Sequence, residues 1–130
     1  MKQIIKTVGQ IMEDLRVYTG WGFVGGVKGD AITLKSILVN EIGKKIDLTL
    51  EIFEGDVLIK VTAWRDGLKR EAVDQELEVL EIPVEAEIQD STLILCHHEP
   101  FGVLEHSVKG VLKQCIMPMV NAAAKLTEEE

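Results

Sequence analysis

"KIDLTLEIFEGDVLIKVTAW", Lys45 to Trp64, holds two runs of alternating residues around one turn. In the first run Ile46, Leu48, Leu50 and Ile52 alternate with Asp47, Thr49 and Glu51, the period of a strand with one buried face. In the second, Val57, Ile59, Val61 and Ala63 keep the same period. A two-residue turn at Glu54-Gly55 sets Ile52 opposite Val57, Leu50 opposite Ile59 and Leu48 opposite Val61. A slip of one residue would put Leu50 across from Lys60 and turn one strand's apolar face to water, so the turn must have even length. The segment predicts an antiparallel hairpin with one apolar face, and that face needs a cover.

The cover comes from the two ends of the chain. Ile4, Ile5, Val8, Ile11, Met12, Leu15 and Tyr18 recur at helical spacing and predict a helix ending near Thr19. Beyond Pro100 and Gly102 the helical period returns. Leu104, Val108, Val111, Leu112, Cys115, Ile116, Met119, Val120 and Ala123 form one wide apolar face on a long C-terminal helix. Pro118 cannot bond the Gln114 carbonyl, which predicts a kink there or a break into two pieces.

Between these ends, "VEAEI" and "TLILC" predict a second hairpin. A turn at Asp90-Ser91 pairs Ile88 with Leu93 and Ala86 with Leu95. Pro83, which has no N–H for a ladder, marks a strand boundary or an edge. Residues 68–76 read both ways, their types favouring helix and their broken alternation a strand, with a strand expected from about Glu76. The expected fold is α+β: an N-terminal helix, an antiparallel meander of five to six strands, and a long C-terminal helix across one sheet face, all within one domain over residues 1–130. This arrangement resembles, at the level of fold, the helix-grip domains that bind lipids and polyketides, without their N-terminal strand.

Composition narrows the function classes. The chain of 130 residues is 46% hydrophobic but only 5% aromatic, so its core is built from Ile, Leu and Val. A formal charge of -8 repels nucleic-acid phosphates and anionic headgroups, and argues against nucleic acid as a partner. No apolar run approaches membrane-spanning length, and Glu13 and Asp14 interrupt the start where a signal peptide would be uncharged, which predicts a cytoplasmic protein without membrane insertion. Cys96 and Cys115 are expected as free thiols.

Five of the 11 glycines lie between Gly20 and Gly29, and "GWGFVGGV" has the G-x-G-x-x-G spacing of phosphate-cradling loops. Such a loop must lead from a strand to the N-terminus of a helix, whose free N–H groups hold the phosphate. Here the order is reversed, helix first. The glycines therefore predict an irregular loop in which Trp21 and Phe23 fold back onto apolar surface.

The remaining chemistry sits in "CHHEPFGVLEH", Cys96 to His106, whose side chains suit zinc. On a strand Cys96 and His98 point one way and His97 the other. On one continuous helix, nine residues at roughly 100° each set His106 and Cys115 on opposite faces. No set of four ligands converges, so a closed metal site is not expected, and no catalytic triad or cofactor motif appears. The functional expectation is a non-enzymatic module that holds an apolar or lipid-like ligand between sheet and C-terminal helix, lined by Leu50, Ile59, Val61, Val108, Val111, Leu112, Cys115 and Met119. Two alternatives stand beside it: a metal site of Cys96, His98 and His106, and a homodimer formed through the stripe of one terminal helix.

Overall fold

A computed structural model describes residues 2–39 and 44–128, with side chains from Lys6 onward. Helix α1 (Lys2–Thr19) is followed by strands β1 (Val24–Lys28), β2 (Ala31–Val39), β3 (Lys45–Phe53) and β4 (Asp56–Trp64). Helix α2 (Arg70–Glu78), strands β5 (Glu85–Gln89) and β6 (Thr92–Pro100) and helix α3 (Phe101–His106) come next. The chain ends in α4 (Val108–Val111), a π-helical turn (Leu112–Ile116) and α5 (Met117–Leu126). The protein is α+β, its six strands forming one antiparallel sheet in the order β1-β2-β3-β4-β6-β5. The first four strands run as a meander, and the last hairpin docks on β4 through its second strand. Among the described residues no helix is long and apolar enough to cross a membrane.

Both hairpins take the registers that parity requires. Ile52 faces Val57, Leu50 faces Ile59 and Leu48 faces Val61 across the turn at Glu54-Gly55. Ile88 faces Leu93 and Ala86 faces Leu95 across Asp90-Ser91. The buried face of the sheet carries Leu34, Ile46, Leu48, Leu50, Ile52, Val57, Ile59, Val61, Leu93 and Leu95, each no more than 4% exposed. Helix α5 lies across β3, β4 and β6 on this face. Helix α1 packs against α4 with Val8, Ile11 and Leu15 buried, while Tyr18 is exposed. The side chains of Ile4 and Ile5 lie outside the described residues.

Three expectations need correction. Residues 70–78 are helix, with no strand beginning at Glu76, because Val73 and Leu77 are four apart and both turn toward the core, one buried and one half-buried. The glycine segment is only partly irregular: Val24 to Lys28 form an edge strand on β2, and Gly29 with φ +59° makes the two-residue turn between them. Trp21 and Phe23 do fold back onto the core. Finally, the C-terminal helical stretch breaks first at Ser107, whose extended backbone (φ -150°, ψ 92°) ends α3 and whose hydroxyl accepts from the Gly110 N–H to start α4. Pro118 then closely follows the π turn within a continuously helical backbone, at the point where the hydrogen-bond pattern changes from i→i−5 back to i→i−4.

Candidate metal centre

Strand β6 positions the first two groups. Its odd-numbered residues face the core, so the row Leu93, Leu95 continues into His97 and Glu99. His97 is 4% exposed, and polar groups buried to that degree are held by hydrogen bonds. Its Nδ1 lies 2.7 Å from the carbonyl of Pro83, just ahead of β5, and its Nε2 lies 2.7 Å from Glu99 Oε1. A carbonyl oxygen only accepts, so Nδ1 carries a hydrogen and donates it. In the neutral ring Nε2 is then bare and aimed at a carboxylate oxygen, two acceptors that need a proton or a cation between them.

The π turn supplies the third group. Met117 N–H bonds the Leu112 carbonyl, one residue further along than in an α-helix, and this widened turn brings Cys115 down onto β6. Cys115 Sγ lies 3.6 Å from Glu99 Oε1 and donates to it. Burial, then the Glu99 charge and the hydrogen bond to it, push this thiol up to about 12, so without a metal it is fully protonated at neutral pH. It is therefore no nucleophile on its own. The ligating atoms of His97, Glu99 and Cys115 all lie within 4.8 Å of one another, and against the roughly 3.3–3.8 Å edges of a tetrahedron with zinc bond lengths the sulfur–oxygen distance of 3.6 Å fits, while the nitrogen–oxygen distance of 2.7 Å would have to open.

Beside this cluster opens a cavity of about 460 Å³, lined by Glu99 and Cys115 on one side and by Gly102, Val103, His106, Ser107, Gly110, Val111 and Gln114 around it. Gly110 is fixed by its surroundings: a Cβ there would stand 2.9 Å from Ser107 Oγ.

The residues expected from sequence are distributed differently. Cys96 is half-buried on the opposite face of β6, its thiol raised by burial, and His98 beside it is exposed and pairs with Asp56 at 3.1 Å. His106 lies on the cavity wall, so Cys96, His98 and His106 are not brought together. The separation expected of His106 and Cys115 fails for a definite reason. It assumed one continuous helix, and the break at Ser107 lets both residues line the same cavity. Of the eight residues expected around an apolar ligand, Val111 and Cys115 line this cavity, while Leu50, Ile59, Val61, Val108, Leu112 and Met119 belong to the buried core. His97 and Glu99 belong to the zinc-suited run but stand outside the set Cys96, His98 and His106, and the signal for them is the alternation that buries Leu93 and Leu95, which runs on through 97 and 99.

Comparison with protein-family models, with curated proteins and with solved structures returned no match to this chain, so the reading of the site rests on its own chemistry.

Proposed function

We propose that the protein binds one divalent transition-metal ion of the zinc class through His97 Nε2, the Glu99 carboxylate and Cys115 Sγ, and presents it to a small guest in the adjoining cavity. One observation carries the reading. The bare nitrogen of a buried histidine and a carboxylate face each other, while the ring's other nitrogen donates to a backbone carbonyl, which is how ligating histidines are held in the metal-accepting tautomer. An ion at this place replaces the shared proton. The set of one nitrogen, one oxygen and one sulfur suits zinc, cobalt and copper better than magnesium or calcium.

Three protein ligands leave the fourth position open, as at centres that act on a bound molecule. Because Glu99 and Cys115 line the cavity, a guest there would be the one to reach the ion, with Gly102, Val103 and Val111 against its apolar part and His106 and Gln114 offering polar contacts. The guest suggested by this geometry is small and mixed in character, seated at the cavity beside α3 and α4 and not under the middle of the C-terminal helix.

Equilibrium dialysis of metal-stripped protein against micromolar zinc tests the reading. The wild type is expected to take up one equivalent. Glu99→Gln, which keeps the shape and the hydrogen bond to His97, and Cys115→Ser are expected to lose it, and Cys96→Ser and His98→Ala to retain it. Zinc that survives Glu99→Gln and Cys115→Ser, or that departs with His98→Ala, contradicts this site.

A further inference from the structure

The two edges of the sheet are treated differently. The backbone of an edge strand is an open template, and proteins normally cover or charge it. Strand β5 is guarded: Arg70 Nη1 donates to the Ala86 carbonyl at 2.8 Å, Asp74 steadies Arg70 at 3.1 Å, and Glu85 and Glu87 point to solvent. Strand β1, "VGGVK", carries one charge, Lys28 at its turn end, paired with Glu51 at 3.6 Å, and nothing guards Val24 to Val27. All five residues are exposed, Val24 by 73% and Val27 by 81%, the ladder to β2 is unbroken, and among the described residues no side chain bonds its backbone.

The phase of the ladder follows from the turns. A two-residue turn closes on a hydrogen-bonded pair, after which residues alternate between facing the partner strand and facing outward. At β5 the turn closes on Gln89 and Thr92, so Ala86 and Ile88 face outward, and Arg70 is found on Ala86. By the same rule Lys28 and Ala31 close the β1 turn, and Gly25 and Val27 present free N–H and C=O groups at the edge.

We propose that two copies of this chain join edge to edge through β1, antiparallel about a two-fold axis at Gly26, so that one sheet runs through both. Within β1 this register pairs both outward-facing residues of each copy, Gly25 and Val27, whereas a two-fold axis at either of them would pair only one. Pairing Gly25 with Val27 of the second copy joins outward-facing groups on both sides, each pair exchanging both of its hydrogen bonds. It also keeps core face with core face, which an odd shift would not. Gly25 has no side chain, and this leaves room for the opposing Val27. The single charge, Lys28, falls opposite Val24 and away from the other Lys28, and β1 brings no carboxylate to the contact in a chain of net charge -8.

Sedimentation equilibrium of the full chain across the micromolar range reads this directly. A concentration-dependent dimer is expected for the wild type. Val27→Pro removes one outward N–H and blocks the edge, and is expected to weaken the dimer about tenfold or more while the circular dichroism spectrum stays unchanged. Val27→Lys, at a side chain that is solvent-exposed within one chain, repeats the test without touching the backbone and is expected to act in the same direction. Val17→Lys on the exposed side of α1 leaves the dimer intact. A monomer throughout the range, a dimer indifferent to both Val27 variants, or one dissolved by Val17→Lys overturns the proposal.

Discussion

Cys96 and Cys115 share a side chain and differ in everything around it. Cys96 stands half-buried on the open face of β6, and Cys115 is 3% exposed beneath the π turn against a carboxylate. Burial raises both thiols, Cys115 further, to about 12. In metal-free protein at neutral pH iodoacetamide is expected to modify Cys96 first and Cys115 only after unfolding in urea, as mass spectrometry of the labelled peptides will show; equal labelling of the two contradicts the placement of Cys115. Gly110 is a second residue whose role is local. An alanine Cβ there meets Ser107 Oγ, the acceptor that starts α4, so Gly110→Ala is expected to destabilise by about 1 kcal/mol, the scale of a lost N-cap, and to lower the urea midpoint. An unchanged midpoint would show that the cap is dispensable. At this scale the sequence was legible where parity applied: it separated His97 from Cys96 and His98. The same parity puts the other face of that strand, with His97 and Glu99, on the core.

Among the elements, the β3–β4 hairpin was readable in full because its two constraints, alternation and turn length, agree. Leu50 is fully buried and Thr49 lies on the far face, so Leu50→Asp is expected to cost several kcal/mol by burying an unpaired charge, against well under 1 kcal/mol for Thr49→Asp. Equal shifts of the urea midpoint for the two would contradict the register. Helix α2 was harder, since a short segment with one buried residue, Val73, satisfies two periods at once. Strand β1 was hidden for a different reason. Glycine signals backbone freedom, and an exposed edge strand needs ladder partners but no apolar pattern, so nothing in "VGGVK" distinguishes it from loop. The C-terminal breaks are backbone events. Ser107 interrupts no apolar period, yet it ends one helix and caps the next. Ser107→Ala is expected to cost about 1 kcal/mol and, by loosening the start of α4, to reduce zinc uptake less than Cys115→Ser does; an equal loss would mean that the cap itself holds the π turn in place.

For the molecule as a whole, the architecture follows from one apolar sheet face and the helices that cover it. The proposed metal centre does not follow from any motif, because the three side chains of its cluster come from a strand and from a helix whose register depends on the π turn. Chain topology brings them together: β6 leads directly into α3, α4 and the π turn, which fold back over its end, and so residues 97, 99 and 115 meet although no spacing rule joins them. The same topology places the cavity at that end of the sheet, beside the cluster, and puts β1 at the far end of the strand order, where among the described residues no further strand pairs with it. The central claim is that one ion is held by nitrogen, oxygen and a single sulfur. X-ray absorption at the zinc edge, on protein loaded with one equivalent, measures that shell directly. The proposed site requires one sulfur at about 2.3 Å with the remaining nitrogen and oxygen ligands at about 2.0–2.2 Å; a shell without sulfur, or one with more than one sulfur, would contradict it.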